Sequence, residues 1–148
     1  MIIRTAVTDD ATGVSDLCSK ELGYPCDETF VRVRIGWLDL EREAVFVAVE
    51  DNDICGFIHV ERYNTLYSET LANILGLAVS SGYRRKGIGR SLVERAEKWA
   101  IENGISVMRL NSGASRKEAH KFYRSLDYSF EKEQIRFLKK IIPIVHEN

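Results

Sequence analysis

The sequence predicts an α+β fold, a mixed sheet with helices on its faces. Three observations lead there. Short apolar runs of strand length recur at 2–7, 44–50, 54–63, 69–80, 106–111 and 134–142. Amphipathic stretches of helical period lie between them, clearest at 87–103. Turn-forming residues mark the changes from one to the other, among them Gly23, Asp51–Asp53 and Gly104. The order that results is β-α-α-β-β-β-α-β-α-β. A length of 148 residues suits one domain, residues 1–148, with a sizeable core.

Each element has its own reason. Residues 2–7 are short and apolar. Ala11, Val14, Leu17, Cys18 and Leu22 then recur at helical spacing. Asp9 and Asp10 suit the first turn of that helix, and Gly23 suits the position just past its end. Asp27–Leu40 carries two signals: "FVRVRI" alternates like a strand, whereas Phe30, Val33 and Trp37 fit a helix that Asp27 could cap. The helix is chosen. "AVFVAVE" and "ICGFIHVERY", joined by the Asp51–Asp53 turn, read as a β-hairpin. "ETLANILGLAVS" is a largely buried strand, with Gly76 marking a bulge or a close backbone approach. Ile88, Leu92, Val93, Ala96, Trp99 and Ala100 give the next helix its apolar face. "SVMRLN" follows as a strand. Ser115 and Glu118 have capping-box spacing for a helix whose face is Ala119, Phe122, Tyr123 and Leu126. "QIRFLKKII" is expected to be the final strand.

Composition narrows the function classes. Hydrophobic residues make up 45% and charged residues 29%, the balance of a folded soluble protein. A net charge of −1 argues against nucleic acid and against an acidic membrane surface as partners. No apolar run is long enough to span a bilayer, and the N-terminus lacks a signal-peptide pattern. Cys18, Cys26 and Cys55 show no metal spacing and are read as reduced thiols of a cytoplasmic protein. No metal site is expected.

The stretch "SGYRRKGIGRS" (81–91) carries the chemistry. It runs Arg84, Arg85 and Lys86 into Gly87-Ile88-Gly89 and then into a helix. The first amides of a helix have no partner within it and sit at the positive end of its dipole. Glycine permits close approach, and the cations add charge. Phosphate or pyrophosphate is the ligand that such a turn fits; the other reading is an exposed basic turn whose glycines only cap the helix. Two other phosphate motifs are excluded. The P-loop ending Gly-Lys-Ser/Thr is absent, and the third glycine of the dinucleotide fingerprint is replaced by Leu92.

"LAVSSGYRRKGIGRSLVERAEKWA" resembles the acetyl-CoA signature of the GCN5-related N-acetyltransferases, the GNAT family. "LNSGASRKEAHKFYRSLDY" (110–128) is similar to that family's second motif, a strand–loop–helix with Ala-x-x-Phe-Tyr. The resemblance implies the GNAT fold, a mixed, mostly antiparallel central sheet flanked by helices. It implies acetyl-CoA as cosubstrate and N-acetylation of a primary amine of a small molecule or peptide by direct attack. It also implies roles. Leu77, Ala78 and Val79 would offer main-chain partners to pantetheine. The amides of Arg85–Gly89 would hold the pyrophosphate, Ile88 included, with Arg84, Lys86 and Arg90 adding charge. Asn111 would reach the pantetheine amides, or else simply end its strand. A backbone N–H near Leu77 would face the developing oxyanion. Tyr123 would protonate the leaving thiolate; the other reading makes it a core aromatic.

The sequence also departs from the family pattern. The fourth strand reads Asn73-Ile74-Leu75-Gly76, without the acid that members often carry there. A base would come from Glu69 or Glu21 through water, or solution would supply the neutral amine. Arg116 stands where many members have a cofactor-contacting Asn, and Asp127 replaces the usual Gly. His120 is a relay or, more simply, an exposed helical histidine. Tyr24, Asp27 and Glu69 are candidates for the acceptor site, each with a plain surface role as the alternative. A catalytically silent CoA-binding regulator is the alternative function, and a homodimer is a candidate assembly.

Overall fold

The computed structural model describes residues 1–142. Two compact units emerge, residues 1–111 and a second from Ser112 onward.

The first unit is built on a five-stranded sheet in the order β1-β2-β3-β4-β5. Its strands are β1 (Ile2–Thr5), β2 (Glu43–Glu50), β3 (Asp53–Tyr63), β4 (Leu71–Val79) and β5 (Met108–Leu110). Every pairing is antiparallel except β4 with β5. That exception follows from the connection, since parallel neighbours need a long crossover and a helix supplies it. The hairpin turn between β2 and β3 holds Asp51 and Asn52 at φ 51 and 65, the left-handed pair of a tight two-residue loop.

Helices α1 (Ala11–Glu21) and α2 (Glu28–Gly36) cover one face. Val14, Leu17 and Val31 pack there with Val45, Val47, Phe57 and Ala78 of the sheet. Asp27 caps α2 by accepting the Thr29 N–H at 2.8 Å, which settles the ambiguous segment as helix. The helix stops at Gly36, short of the expected Leu40. Asp9 and Asp10 fall in a 3₁₀ turn just ahead of α1. There Asp10 pairs with Arg4 at 2.8 Å and accepts the Val7 N–H. The hydrogen bond from Arg4 holds its carboxyl below the usual range, against the effect of burial.

Helix α3 (Ile88–Glu102) covers the other face through Ile88, Leu92, Val93, Ala96, Trp99 and Ala100. Gly56 makes the close fit possible. A Cβ there would lie 2.9 Å from Leu92 and 3.1 Å from the Ala78 carbonyl. A larger residue would force Leu92, Ile88 or the Ala78 backbone to give way locally.

The second unit holds α4 (Lys117–Ser125). Ala119, Phe122 and Tyr123, with Leu126 at the C-terminal cap, are half-buried as expected from sequence, and so is His120. The expected capping box is not formed. The helix begins two residues after Ser115, Arg116 occupies the cap, and no side chain bonds to the free amides. Ser115 instead offers its carbonyl to the Lys117 N–H, a turn that holds it outside the helix. The expected strand at 134–142 is also absent. These residues have no assigned secondary structure, and Ile135, Phe137, Leu138, Ile141 and Ile142 are exposed. Alternation marks a segment as able to form a strand, but a strand also needs a ladder partner, and none of the described residues supplies one.

Candidate active site

Two features of β4 shape the site. The first is an unpaired edge. β5 pairs with β4 only at Ala72, Asn73 and Ile74, while β4 continues to Val79. From Leu75 onward, the edge of β4 away from β3 has no ladder partner among the described residues. Backbone N–H and C=O groups there are available to an extended ligand. Leu77, Ala78 and Val79 lie on this stretch, as the sequence placed them.

The second feature is a bulge. His59 pairs with Gly76 and Val60 with Ile74, which leaves Leu75 without a partner in β3. The extra residue bends β4 where its pairing with β5 ends. Polar side chains fasten the paired end. Asn73 is buried and donates to Glu61 at 2.9 Å, while its Oδ1 accepts from Arg109 at 2.9 Å. Arg109 also reaches Asn111 at 3.3 Å and stacks over the Tyr63 ring at 4.3 Å. Arg42 meets the other Glu61 oxygen at 3.4 Å.

The open edge leads into the turn before α3. Gly87 caps the helix at φ 76, the left-handed region that glycine enters without cost, and no side chain bonds to the free amides. A Cβ at Gly87 would meet nothing within 4 Å, so conformation rather than space selects glycine. Arg85, at φ 65, is also left-handed. Left-handed residues at 85 and 87, on either side of Lys86, are the kind of turn backbone from which anion-binding concavities are made. Lys86 sits over the Tyr83 ring at 5.3 Å, and Arg90 approaches Glu94 at 3.9 Å. Arg84 is held by Glu21 at 2.6 Å, and the other Glu21 oxygen accepts the Ser81 N–H at 3.0 Å. Glu21 therefore ties the turn to the end of α1. It is not a free carboxylate that a water could link to a substrate amine.

The remaining candidates divide. Tyr24 is exposed just after α1, with its N–H on the Cys18 carbonyl at 2.9 Å. One oxygen of Asp27 serves the α2 cap. Glu69 is exposed in the β3–β4 loop. In the second unit, Arg116 is exposed at the start of α4. Tyr123 is half-buried, edge-on to Phe122 at 5.3 Å and tilted to Tyr128 at 6.0 Å. Burial pushes its phenol pKa up, so the hydroxyl keeps its proton at neutral pH. The His120 ring is 2.9 Å from the Gly113 carbonyl, a bond that fixes the loop before α4. Asp127 takes φ 69, the conformation that the glycine of the family pattern would adopt freely.

Sequence reasoning missed the polar row on β3. His59 and Glu61 are two apart and share a face with Phe57. Within "FIHVERY" the alternation signals that face, but the partners Glu43, Asn73 and Arg109 are distant in sequence. No group of residues able to hold a metal ion occurs among the described residues. No described helix is long and apolar enough to cross a membrane.

Comparison with known proteins places this geometry. The model of the acetyltransferase (GNAT) family matches residues 12–128. An uncharacterised N-acetyltransferase of Chlorobaculum tepidum is 30% identical over 122 residues, which are 80% of this chain and 74% of the relative. The aminoglycoside 6′-N-acetyltransferase AAC(6′)-Ig of Acinetobacter haemolyticus shares the fold, with a TM-score of 0.80 at 19% identity over 95% of this chain and 99% of that one. AAC(6′)-Iy, solved with a CoA-linked bisubstrate analogue, superposes with a TM-score of 0.76 at 21% identity over 94% of this chain and 97% of that one. The open β4 edge, the glycine turn at the start of α3 and the family match agree: the chain belongs to the GNAT family and is an acetyl-CoA-dependent N-acetyltransferase.

Proposed function

We propose that the protein N-acetylates a primary amine of a small molecule or peptide by direct attack on acetyl-CoA, with no acyl-enzyme. The observation that carries this reading is the β4 edge away from β3, unpaired from Leu75 to Val79 among the described residues and leading straight into the uncapped amides of α3. An extended pantetheine arm can add to the edge as a strand would, and the pyrophosphate fits the Arg85–Gly89 turn. Arg84, Lys86 and Arg90 supply charge there, Arg84 while held by Glu21. Asn111 and Arg116 are further contacts for the donor.

The N–H near Leu77 is the oxyanion donor, and its value lies in being fixed before charge develops. Tyr123 is the acid for the thiolate, supported by its place in "AHKFY" and by a phenol that burial keeps protonated. Tyr24, Asp27 and Glu69 contribute to acceptor choice. The whole chain, 1–148, acts as one acetyltransferase domain, a reading supported by a family match that begins in the first unit and extends into the second as far as residue 128. A cytoplasmic setting fits the free Cys18, Cys26 and Cys55.

The test is a panel of acceptors, namely sisomicin, spermidine, lysine and a glycyl peptide, with thiol release as the readout. An aminoglycoside belongs in it because proteins of the same fold carry that name. Thiol release that depends on one amine class, with the product heavier by one acetyl group, is the expected result. CoA binding without thiol release from any amine would favour the silent regulator.

A further inference from the structure

Beside the β4 bulge stands a histidine–carboxylate pair that the family motifs do not contain. The His59 Nε2 lies 2.7 Å from the Glu43 Oε1. A carboxylate can only accept, so Nε2 carries the hydrogen, and in the neutral imidazole Nδ1 then holds the lone pair. No described residue bonds to Nδ1. The two side chains are 28% and 22% exposed, shielded enough to hold their geometry yet open to a ligand. His59 pairs directly with Gly76, the residue beside the bulge and next to Leu77. Gly76 sets no side chain of its own opposite His59, and a Cβ there would lie 3.5 Å from the Phe57 ring.

We infer that His59 is the general base of the acetyl transfer and that Glu43 is its positioning residue. This rests on the acetyltransferase reading above, and it supplies the base that β4 itself lacks. The arrangement is that of a base oriented by a third group, placed next to the amide that faces the oxyanion.

The step balances. The acceptor arrives as an ammonium and must lose two protons to become an amide. Nδ1 of His59 takes the first, which frees the nitrogen lone pair. The C–N bond forms and the C–S bond breaks. The second proton goes to the thiolate sulfur by way of Tyr123 or water. The imidazolium then returns the first proton to solvent.

The charged surroundings of His59 are few. Glu43 comes from β2, and Glu61 lies two residues further along β3 on the same face, occupied by Arg42 and Asn73. Gly76 and Asn73 of β4 bring no charge, and Arg109 is spent on Asn73 and Asn111. From α1, the acids Asp16 and Glu21 line a cleft with Asp53, Ser80 and Tyr83 at the other end of β3. Glu28 of α2 bonds to Thr12 and pairs with Arg32.

The experiment is the pH dependence of kcat/KM with the best amine of sisomicin, spermidine, lysine and a glycyl peptide. It is run beside calorimetry of CoA binding. A base on the enzyme gives a profile that levels off below the pKa of the amine. His59→Gln should lower kcat about a hundredfold at neutral pH. It should remove the plateau, so that the rate climbs toward the amine's own pKa, with CoA affinity unchanged. Glu43→Gln should lower kcat with little change in KM, and Glu43→Asp should restore part of the loss. Added imidazole should rescue His59→Ala, which gives a second reading if His59→Gln folds poorly. A plateau that survives His59→Gln, or a loss equal at every pH, overturns the dyad and leaves the acetyltransferase reading standing. Failure of every amine to release thiol removes both.

Discussion

Two strand–turn–helix segments in this chain have the same plan and opposite footing. In β4–α3 the strand has nine residues and the helix fifteen, with six of the helical side chains buried. In β5–α4 the strand has three residues and the helix nine, with none buried. Both carry family motifs of similar specificity. A motif is therefore evidence about chemistry, and it does not by itself say how firmly a segment is held. The firm segment presents backbone groups whose positions must not change. The looser one carries Tyr123, the residue proposed as the acid.

That contrast can be tested from its largest expected effect downward. Leu92→Ala empties a fully buried position in α3 and should cost about 2–5 kcal/mol in denaturant unfolding. Phe122→Ala in α4 should cost less than half as much, because its ring is only half-buried. Equal losses would erase the distinction. Tyr123→Phe should lower kcat about a hundredfold, with CoA affinity and melting temperature nearly constant. Full kcat in that variant would make Tyr123 a packing residue. Gly87→Asp should weaken CoA binding at least tenfold, about 1.4 kcal/mol by calorimetry. It puts a negative charge at the helix start and a side chain at φ 76. Unchanged affinity in the folded variant would move the pyrophosphate elsewhere. The smallest effect is expected at Asp127→Gly. Relief of the left-handed backbone competes with the greater freedom of glycine in the unfolded chain, for a gain of up to about 1 kcal/mol. A lower midpoint would show that the Asp127 side chain does more than tolerate its φ.

The same contrast explains what was legible in the sequence. The β4–α3 segment could be read because its signals agree: an apolar run, a cationic glycine turn, then Ile88, Leu92, Val93, Ala96 and Trp99 at helical spacing. The hairpin was legible from Asp51–Asp53, and the α2 cap from Asp27. The strand expected at 134–142 was misread because alternation reports what a segment can do, whereas a strand depends on a neighbour. The capping box failed for a related reason, since its spacing was present but the chain turned at Ser115 and entered the helix later. His59 stayed hidden because its meaning comes from register. Only pairing with β2 and β4 brings Glu43 and Gly76 to its sides, and a single sequence does not state which residues lie opposite one another.

The grip of Glu21 on Ser81 and Arg84 has a thermodynamic consequence. A free loop must give up conformational entropy when it closes on a ligand, and that loss subtracts from affinity. Here part of the loss is already met during folding, because one carboxylate holds both a backbone amide and a side chain of the turn. At the proposed pyrophosphate site, the donor would thus meet a surface preorganised at its entrance. The same carboxylate ends α1, three residues before Tyr24, so the ordering reaches from the turn to the start of the segment that leads into α2.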